Sequence, residues 1–224
     1  MTYVTWHLSH DLALQDTLRA ELKTLNHPLI YDMTARSHGD SQFADPKQLD
    51  TLPILHAVIM ETLRLRAPIP GGEPRVSPSP SSKVAGFEIP GGVRISASPW
   101  CMHRNSAVFA DPEVWDYRRW LDSTYSDEKA AEAKRERDRY FWAFSSGARM
   151  CIGSNFAMHG KPLSRKRIFP RKLTLLLEMK LAIAALYTNF RTHIVNDDGI
   201  EQEDGYTAGP KGDQLTVRFE KIEI

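Results

Sequence analysis

The stretch "FSSGARMCIG", residues 144–153, places one cysteine between two glycines, with an arginine two positions before it. Glycine at 147 and 153 allows a tight bend and lets backbone approach a flat ligand with no Cβ in the way. A cysteine that ligates a metal does so as the thiolate, which needs close donors or positive charge. Arg149 supplies a fixed planar cation suited to a carboxylate. The apolar residues after Cys151 are expected to open a helix at Ile152, whose N-terminal dipole would favour negative charge on sulfur. Phe144 offers an apolar face that would keep water off it. A lone cysteine is more often a small buried side chain. Here the surrounding positions all suit one purpose, and ligation is the stronger reading.

Composition narrows the setting. At 224 residues the chain is long enough for one domain, or two small ones, with a real core. The formal net charge is +1, so no bulk field draws it to nucleic acid, and no such partner is expected. Cys101 is the other thiol, too few for a disulfide framework, which points to a reducing compartment. Nor do two cysteines complete a structural zinc set, since His103 and His159 lack finger spacing. No run of eighteen apolar residues exists to span a bilayer. "MTYVTWHLSHDLALQDTLRAEL" has neither the basic nor the apolar region of a signal peptide. It opens in mid-helix without an N-cap, so the chain reads as the later portion of a longer one.

Periodicity predicts helices over 1–10 and 11–25, the second with Leu14, Leu18, Leu22 and Leu25 on one face. Residues 26–50 are polar and read as a loop. "DTLPILHAVIMETLRLRAP" predicts a helix with Asp50 or Thr51 as N-cap, Pro53 in the first turn, and Pro68 as the stop. "EIPGGVRI" suggests two strands joined by a Gly-rich turn. Residues 104–126 look irregular, and 127–139 a charged helix with a solvated face. The last 34 residues suggest strands about a Gly-rich turn. The fold class is mainly α with small antiparallel β-sheets, an α+β arrangement without repeats.

The pattern F-x-x-G-x-R-x-C-x-G, as Phe144, Gly147, Arg149, Cys151 and Gly153, resembles the haem-binding signature of the cytochrome P450 family. "ETLR", Glu61 to Arg64, resembles that family's E-x-x-R, an acid and an arginine one helical turn apart. "YRRW" matches the family's P-x-R-[FW] element with Arg119 before Trp120, although Tyr117 stands where the proline is usual. The resemblance implies the C-terminal part of the P450 fold over 1–224, in a eukaryotic, fungal-like member. It implies Cys151 as axial ligand of haem b (iron protoporphyrin IX), with Arg75 and Arg149 on its propionates. Glu61, Arg64 and Arg119 would form a structural lock. His103, in "MHRN", fits a recurrent family position and equally well a satisfied structural histidine. Substrate would touch Ile69, Pro70 and Gly71 in one segment, and Tyr206 and Thr207 in another.

By the same resemblance the parent protein would be a monooxygenase. It would insert one atom of O2 into a small organic substrate with electrons from a reductase, as no obligate oligomer, at the endoplasmic reticulum membrane. The acid–alcohol pair of the distal helix is absent from this chain, and Thr2 and Thr5 read as packing residues. Two alternatives are a truncated, non-catalytic remnant that binds haem weakly or not at all, and a non-haem interaction module. Residues 160–177 depart from the pattern: six Lys or Arg, no acid, and Gly160, Pro162 and Pro170 inside a helix that should support the cysteine loop. Joining His159 to Glu178 puts Met158, Met179, Ile183, Leu186 and Phe190 at helical spacing. A retained intron is the favoured reading; a surface loop and a nuclear-localisation or membrane-binding patch are the alternatives.

Overall fold

Asp11 ends one helix and starts the next. Its carboxylate accepts from the Leu14 N–H at 2.8 Å, splitting the N-terminal stretch into α1 (Thr2–His10) and α2 (Leu12–Leu22). The computed structural model describes residues 1–27, 29–30, 46–121, 128–151, 175–212 and 214–222. After α2 come α3 (Pro46–Asp50), α4 (Pro53–Leu65), and strands β1 (Glu73–Val76), β2 (Ser81–Val84), β3 (Phe87–Pro90) and β4 (Arg94–Ala97). Then follow α5 (Pro99–His103), α6 (Glu128–Tyr140), α7 (Leu175–Asn189), β5 (Phe190–Asn196) and β6 (Thr216–Lys221).

The short α3 falls in a stretch the sequence suggests is loop; its Leu49 is fully buried, so burial rather than periodicity makes the turn. The N-cap of α4 differs from expectation as well. Leu52 holds that position, and neither Asp50 nor Thr51 caps. Asp50 instead accepts from Lys180 Nζ at 2.7 Å, and the Thr51 hydroxyl donates to the Gln48 carbonyl. The free N–H groups of Ile54 and Leu55 go to the Glu21 carboxylate at 2.7 and 2.8 Å. A carboxylate from α2 thus satisfies the positive end of α4.

α4 is the centre of the molecule. Leu55, Val58 and Ile59 pack with Val4 and Leu8 of α1, Leu14, Leu18 and Leu22 of α2, and Ile183 and Tyr187 of α7. Each such buried aliphatic side chain contributes roughly 1.5–3 kcal/mol. The opposite side of α4 carries Ala57 and Met60, which join Phe109 and Trp120 in a second cluster. α7 meets the core through the predicted stripe: Ile183 is buried, and Met179 and Leu186 pack partly buried beside it. The proposed helix start at Ile152, Gly153 and most of the insert lie outside the described residues. The last three residues of the 160–177 stretch already belong to α7.

The strands pair differently from the simple hairpin that "EIPGGVRI" suggests. β3 pairs with β2 and β4 pairs with β1, both antiparallel, so the Gly91–Gly92 turn links two separate sheets. The reason lies in what the turn touches. Gly91 N–H donates to the Pro80 carbonyl and Gly92 N–H to the Ser77 carbonyl, and a Cβ at Gly91 would sit 2.9 Å from Ser79 Cα. The tight hairpin is instead β2–β3, turned by Ala85 and Gly86, both at positive φ. β5 and β6 form the third pair. Buried Gln15 of α2 binds both backbone groups of Thr192 in β5, at 2.9 and 3.0 Å, and so fastens that pair to the helices.

Candidate functional site

The site is built outward from one carboxylate. Glu61 and Arg64 share a face of α4 at i,i+3, and neither side chain touches solvent. Arg64 Nε and Nη2 donate to Glu61 at 2.9 and 2.8 Å. Arg119 Nε, Trp120 Nε1 and the Asp116 backbone N–H add three more donors at 2.9, 2.8 and 2.9 Å. Two oxygens thus accept five hydrogen bonds, four of them from Arg64, Arg119 and Trp120. The 3-10 turn Tyr117–Trp120 places Arg119 and Trp120, and it starts on an Asp116 carboxylate bond to the Arg118 N–H. That cap explains how the turn forms with Tyr117 in place of a proline.

Arg64 also reaches past the carboxylate. Its Nη1 donates to the His103 and Pro112 carbonyls at 2.8 and 2.7 Å, holding the irregular segment after α5 against α4. His103 returns the contact: its Nδ1 lies 2.8 Å from the Arg64 carbonyl, while Nε2 accepts from the Trp142 N–H at 2.7 Å. Both bonds require the neutral ring with its proton on Nδ1. Burial pushes this imidazole down to about 4, aided by the charges of Arg64 and Arg104 against the Arg64 carbonyl bond. His103 is therefore a buried structural histidine with both ring nitrogens bonded, and its far end is Trp142.

Two residues beyond Trp142 the cysteine loop begins. The Ser145 N–H donates to the Trp142 carbonyl at 3.0 Å, and the Cys151 N–H to the Phe144 carbonyl at 2.8 Å. Between these closures the chain turns at Ser145 (φ 61°) and Gly147 (φ 74°) and makes a short 3-10 turn, Gly147–Arg149. Nothing lies within 4 Å of a Cβ built at Gly147, so this glycine serves its backbone angle and leaves open space. The Phe144 ring packs on the core and stands edge-on to Phe141 at 6.4 Å. Cys151 and Arg149 are exposed. A cleft of about 330 Å3 opens beside the loop, bordered by Met60, Phe141, Phe144, Ser145 and Met150.

Arg75 comes to this loop from β1. Its Nη2 donates to the Ser145 hydroxyl at 3.0 Å and pairs with Glu73 at 3.4 Å. The two segments read as touching substrate also meet. A Cβ on Gly71 would lie 3.9 Å from Tyr206, and the Ala208 N–H donates to the Pro68 carbonyl at 2.9 Å. Ile69 and Tyr206 are exposed beside them. The donor set suits a flat dianionic metal macrocycle on one face: an accessible thiol, open space beside a glycine, and guanidinium groups at 75 and 149 for carboxylates. Among the described residues no group of three His, Cys, Asp or Glu forms an alternative metal site.

The relay to Trp142 and the contact between Glu73 and the loop were not anticipated. Glu73 and Arg75 share a strand face at i,i+2, a signal the alternation of a β-strand makes available.

A family model described as Cytochrome P450 matches residues 6–162. The curated protein named Cytochrome P450 monooxygenase orf2, from Aspergillus niger, is 28% identical over 223 residues, 97% of this chain and 37% of its own length. Cytochrome P450 monooxygenase ABA2 of Pyricularia oryzae is 36% identical over 140 residues, 59% of this chain and 32% of its own. Cytochrome P450 monooxygenase hkm5 of Aspergillus hancockii is 31% identical over 169 residues, 75% of this chain and 28% of its own. The chain spans roughly a third of the length of these relatives.

Proposed function

This chain belongs to the cytochrome P450 family, and from that premise we propose that it carries the thiolate side of a haem monooxygenase acting on a small organic substrate. The observation that supports this most is the cysteine loop: a thiol left accessible on a bend closed by the Phe144 carbonyl and tied, through Trp142 and His103, to α4. When bound, haem b supplies the oxygen activation, drawing on O2 and on electrons from a reductase. The protein's own part is positional. Cys151 would ligate the iron through its thiolate, and Arg75 and Arg149 would neutralise the propionates. Gly147, with open space where its Cβ would stand, would admit the macrocycle beside the bend, the part expected of Gly153 lying outside the described residues. Phe144 fixes the loop on the core. Ile69, Pro70, Gly71, Tyr206 and Thr207 border the substrate. Glu61, Arg64 and Arg119 hold the scaffold without moving protons. No described helix is long and apolar enough to cross a membrane; for the full-length parent we propose the endoplasmic reticulum membrane.

The test is spectroscopic. The chain is loaded with haem, reduced and exposed to carbon monoxide, and its Soret band is recorded. A strongly red-shifted band is expected from thiolate ligation, and Cys151→Ser is expected to return it to the unshifted position. An unchanged band in Cys151→Ser would refute the assignment. Absence of any band in the wild-type chain would favour the remnant reading.

The basic stretch 160–177 stands apart from this function. The family match ends at 162, three residues into it. Its removal would take the formal charge from +1 to −5, six cations being lost, and would restore one apolar stripe from Met158 to Phe190. We read it as a retained intron of eighteen codons. Spliced messages are expected to join codons 159 and 178 directly; if every transcript keeps the segment, it is coding sequence.

A further inference from the structure

Ser145 is a non-glycine residue held at φ 61°, the left-handed region that L-residues disfavour. Something must hold it there. Its hydroxyl donates to the Glu73 carboxylate, in a short contact, and accepts from Arg75 Nη2 at 3.0 Å. Glu73 is mostly buried, with its side chain 14% exposed, while the Arg75 side chain is 36% exposed. The acid therefore sits behind and the guanidinium in front. The direct Glu73–Arg75 contact is the loosest of the three, at 3.4 Å.

We propose that Glu73 is a positioning residue for the haem site, binding Ser145 and Arg75 together so that strand β1 and the cysteine loop keep one register. The inference rests on the haem-thiolate reading above. An acid so near a propionate would repel it if bare; spent on a hydroxyl and a guanidinium, it instead restricts both groups that a propionate meets first. Arg75 spends Nη2 on Ser145 and Glu73 and Nη1 on the Pro74 carbonyl at 2.9 Å, with its side chain 36% exposed. The bend at Ser145 is stabilised from β1, outside the cysteine motif, and so carries strain into the segment that ends at Cys151.

The experiment uses the haem-loaded chain, with haem transfer to an excess of a globin acceptor followed by absorbance and the reduced carbon monoxide band recorded in parallel. Glu73→Ala and Ser145→Ala are each expected to release haem roughly tenfold faster, the worth of one charge-assisted hydrogen bond. Each should also raise an unshifted band at the expense of the red-shifted one. Glu73→Gln keeps an acceptor for the hydroxyl and should restore the band position. The double Ala variant should be worse than either single by clearly less than the sum of the two, since the Ser145–Glu73 bond is lost in all three variants. Ser145→Ala, which deletes only a hydroxyl on a half-buried loop residue, decides the matter if Glu73→Ala fails to accumulate. Wild-type release rate and band in Ser145→Ala, or effects that add in the double variant, would overturn the proposal while leaving thiolate ligation intact. A wild-type chain without the red-shifted band removes the haem reading and this inference with it.

Discussion

Glu61→Gln is expected to remove about 3–5 kcal/mol of stability, enough to leave little folded protein, because it strands buried arginines. The substitution keeps shape and volume, so the loss isolates charge and acceptor capacity. Five donors converge on two carboxylate oxygens. An amide has one acceptor atom, and whichever way it turns, its NH2 faces either Trp120 and Arg64 or Arg119, Arg64 and the Asp116 N–H. Arg64 would suffer most, having no exposed surface through which to recover water. Arg119→Lys makes a useful contrast. Arg119 also donates to the Ala110 and Val114 carbonyls at 3.0 and 3.2 Å, which one ammonium cannot span together, but its side chain is 13% exposed and water can serve the remainder. Urea midpoints should rank wild type above Arg119→Lys above Glu61→Gln. A Glu61→Gln midpoint close to wild type would show that the carboxylate is not the keystone.

Acid is expected to weaken the fold through His103 well before the carboxylates titrate. The unfolded imidazole takes a proton near pH 6.5, whereas burial holds the folded one to about 4. Between those values the unfolded state binds the extra proton, so stability is present above pH 6.5 and falls as pH drops. The share due to His103 is about 2 kcal/mol by pH 5 and about 3 kcal/mol once pH passes the folded value. The structural cost is plain: a proton on Nε2 would point at the Trp142 N–H. His7, stacked on Trp115 at 4.4 Å, is pushed down to about 3 by burial, with Arg66 and His10 adding to it, and acts in the same direction. Comparing urea midpoints at pH 7 and pH 5 for wild type and His103→Gln checks this. The variant, unable to take up the proton, should show a shallower loss; equal slopes would mean that the ring is hydrated in the folded state.

Chemistry was more legible in the sequence than topology. Glu61 and Arg64 advertise themselves at i,i+3, and Arg119 before Trp120 survives the change of its leading proline because Asp116 supplies the turn. The cysteine motif marked the family from its own ten letters. What could not be read were contacts made across the chain. The capping of α4 by Glu21 leaves no local trace, since Asp50 and Thr51 stand at the helix entrance and look suitable until Lys180 and Gln48 claim them. The interleaved pairing of β1 with β4 and β2 with β3 depends on Gly91 pressing against the Ser79–Pro80 backbone, while alternation alone favours neighbouring strands. His103 showed its type and burial, but not that its second nitrogen ends at Trp142.

The Trp142 bond to that imidazole carries a topological consequence. Upstream, the chain is delivered to Leu121 by Trp120 on Glu61; downstream, it is caught again at Trp142. The two ends of the excursion carrying α6 are thus moored to adjacent helices, Trp120 to α4 and Trp142 to α5. Its length could then change without moving either mooring, provided a cation still covers the Trp120 ring as Arg137 does at 4.8 Å. Insertions there would lengthen an appendage without displacing the sulfur.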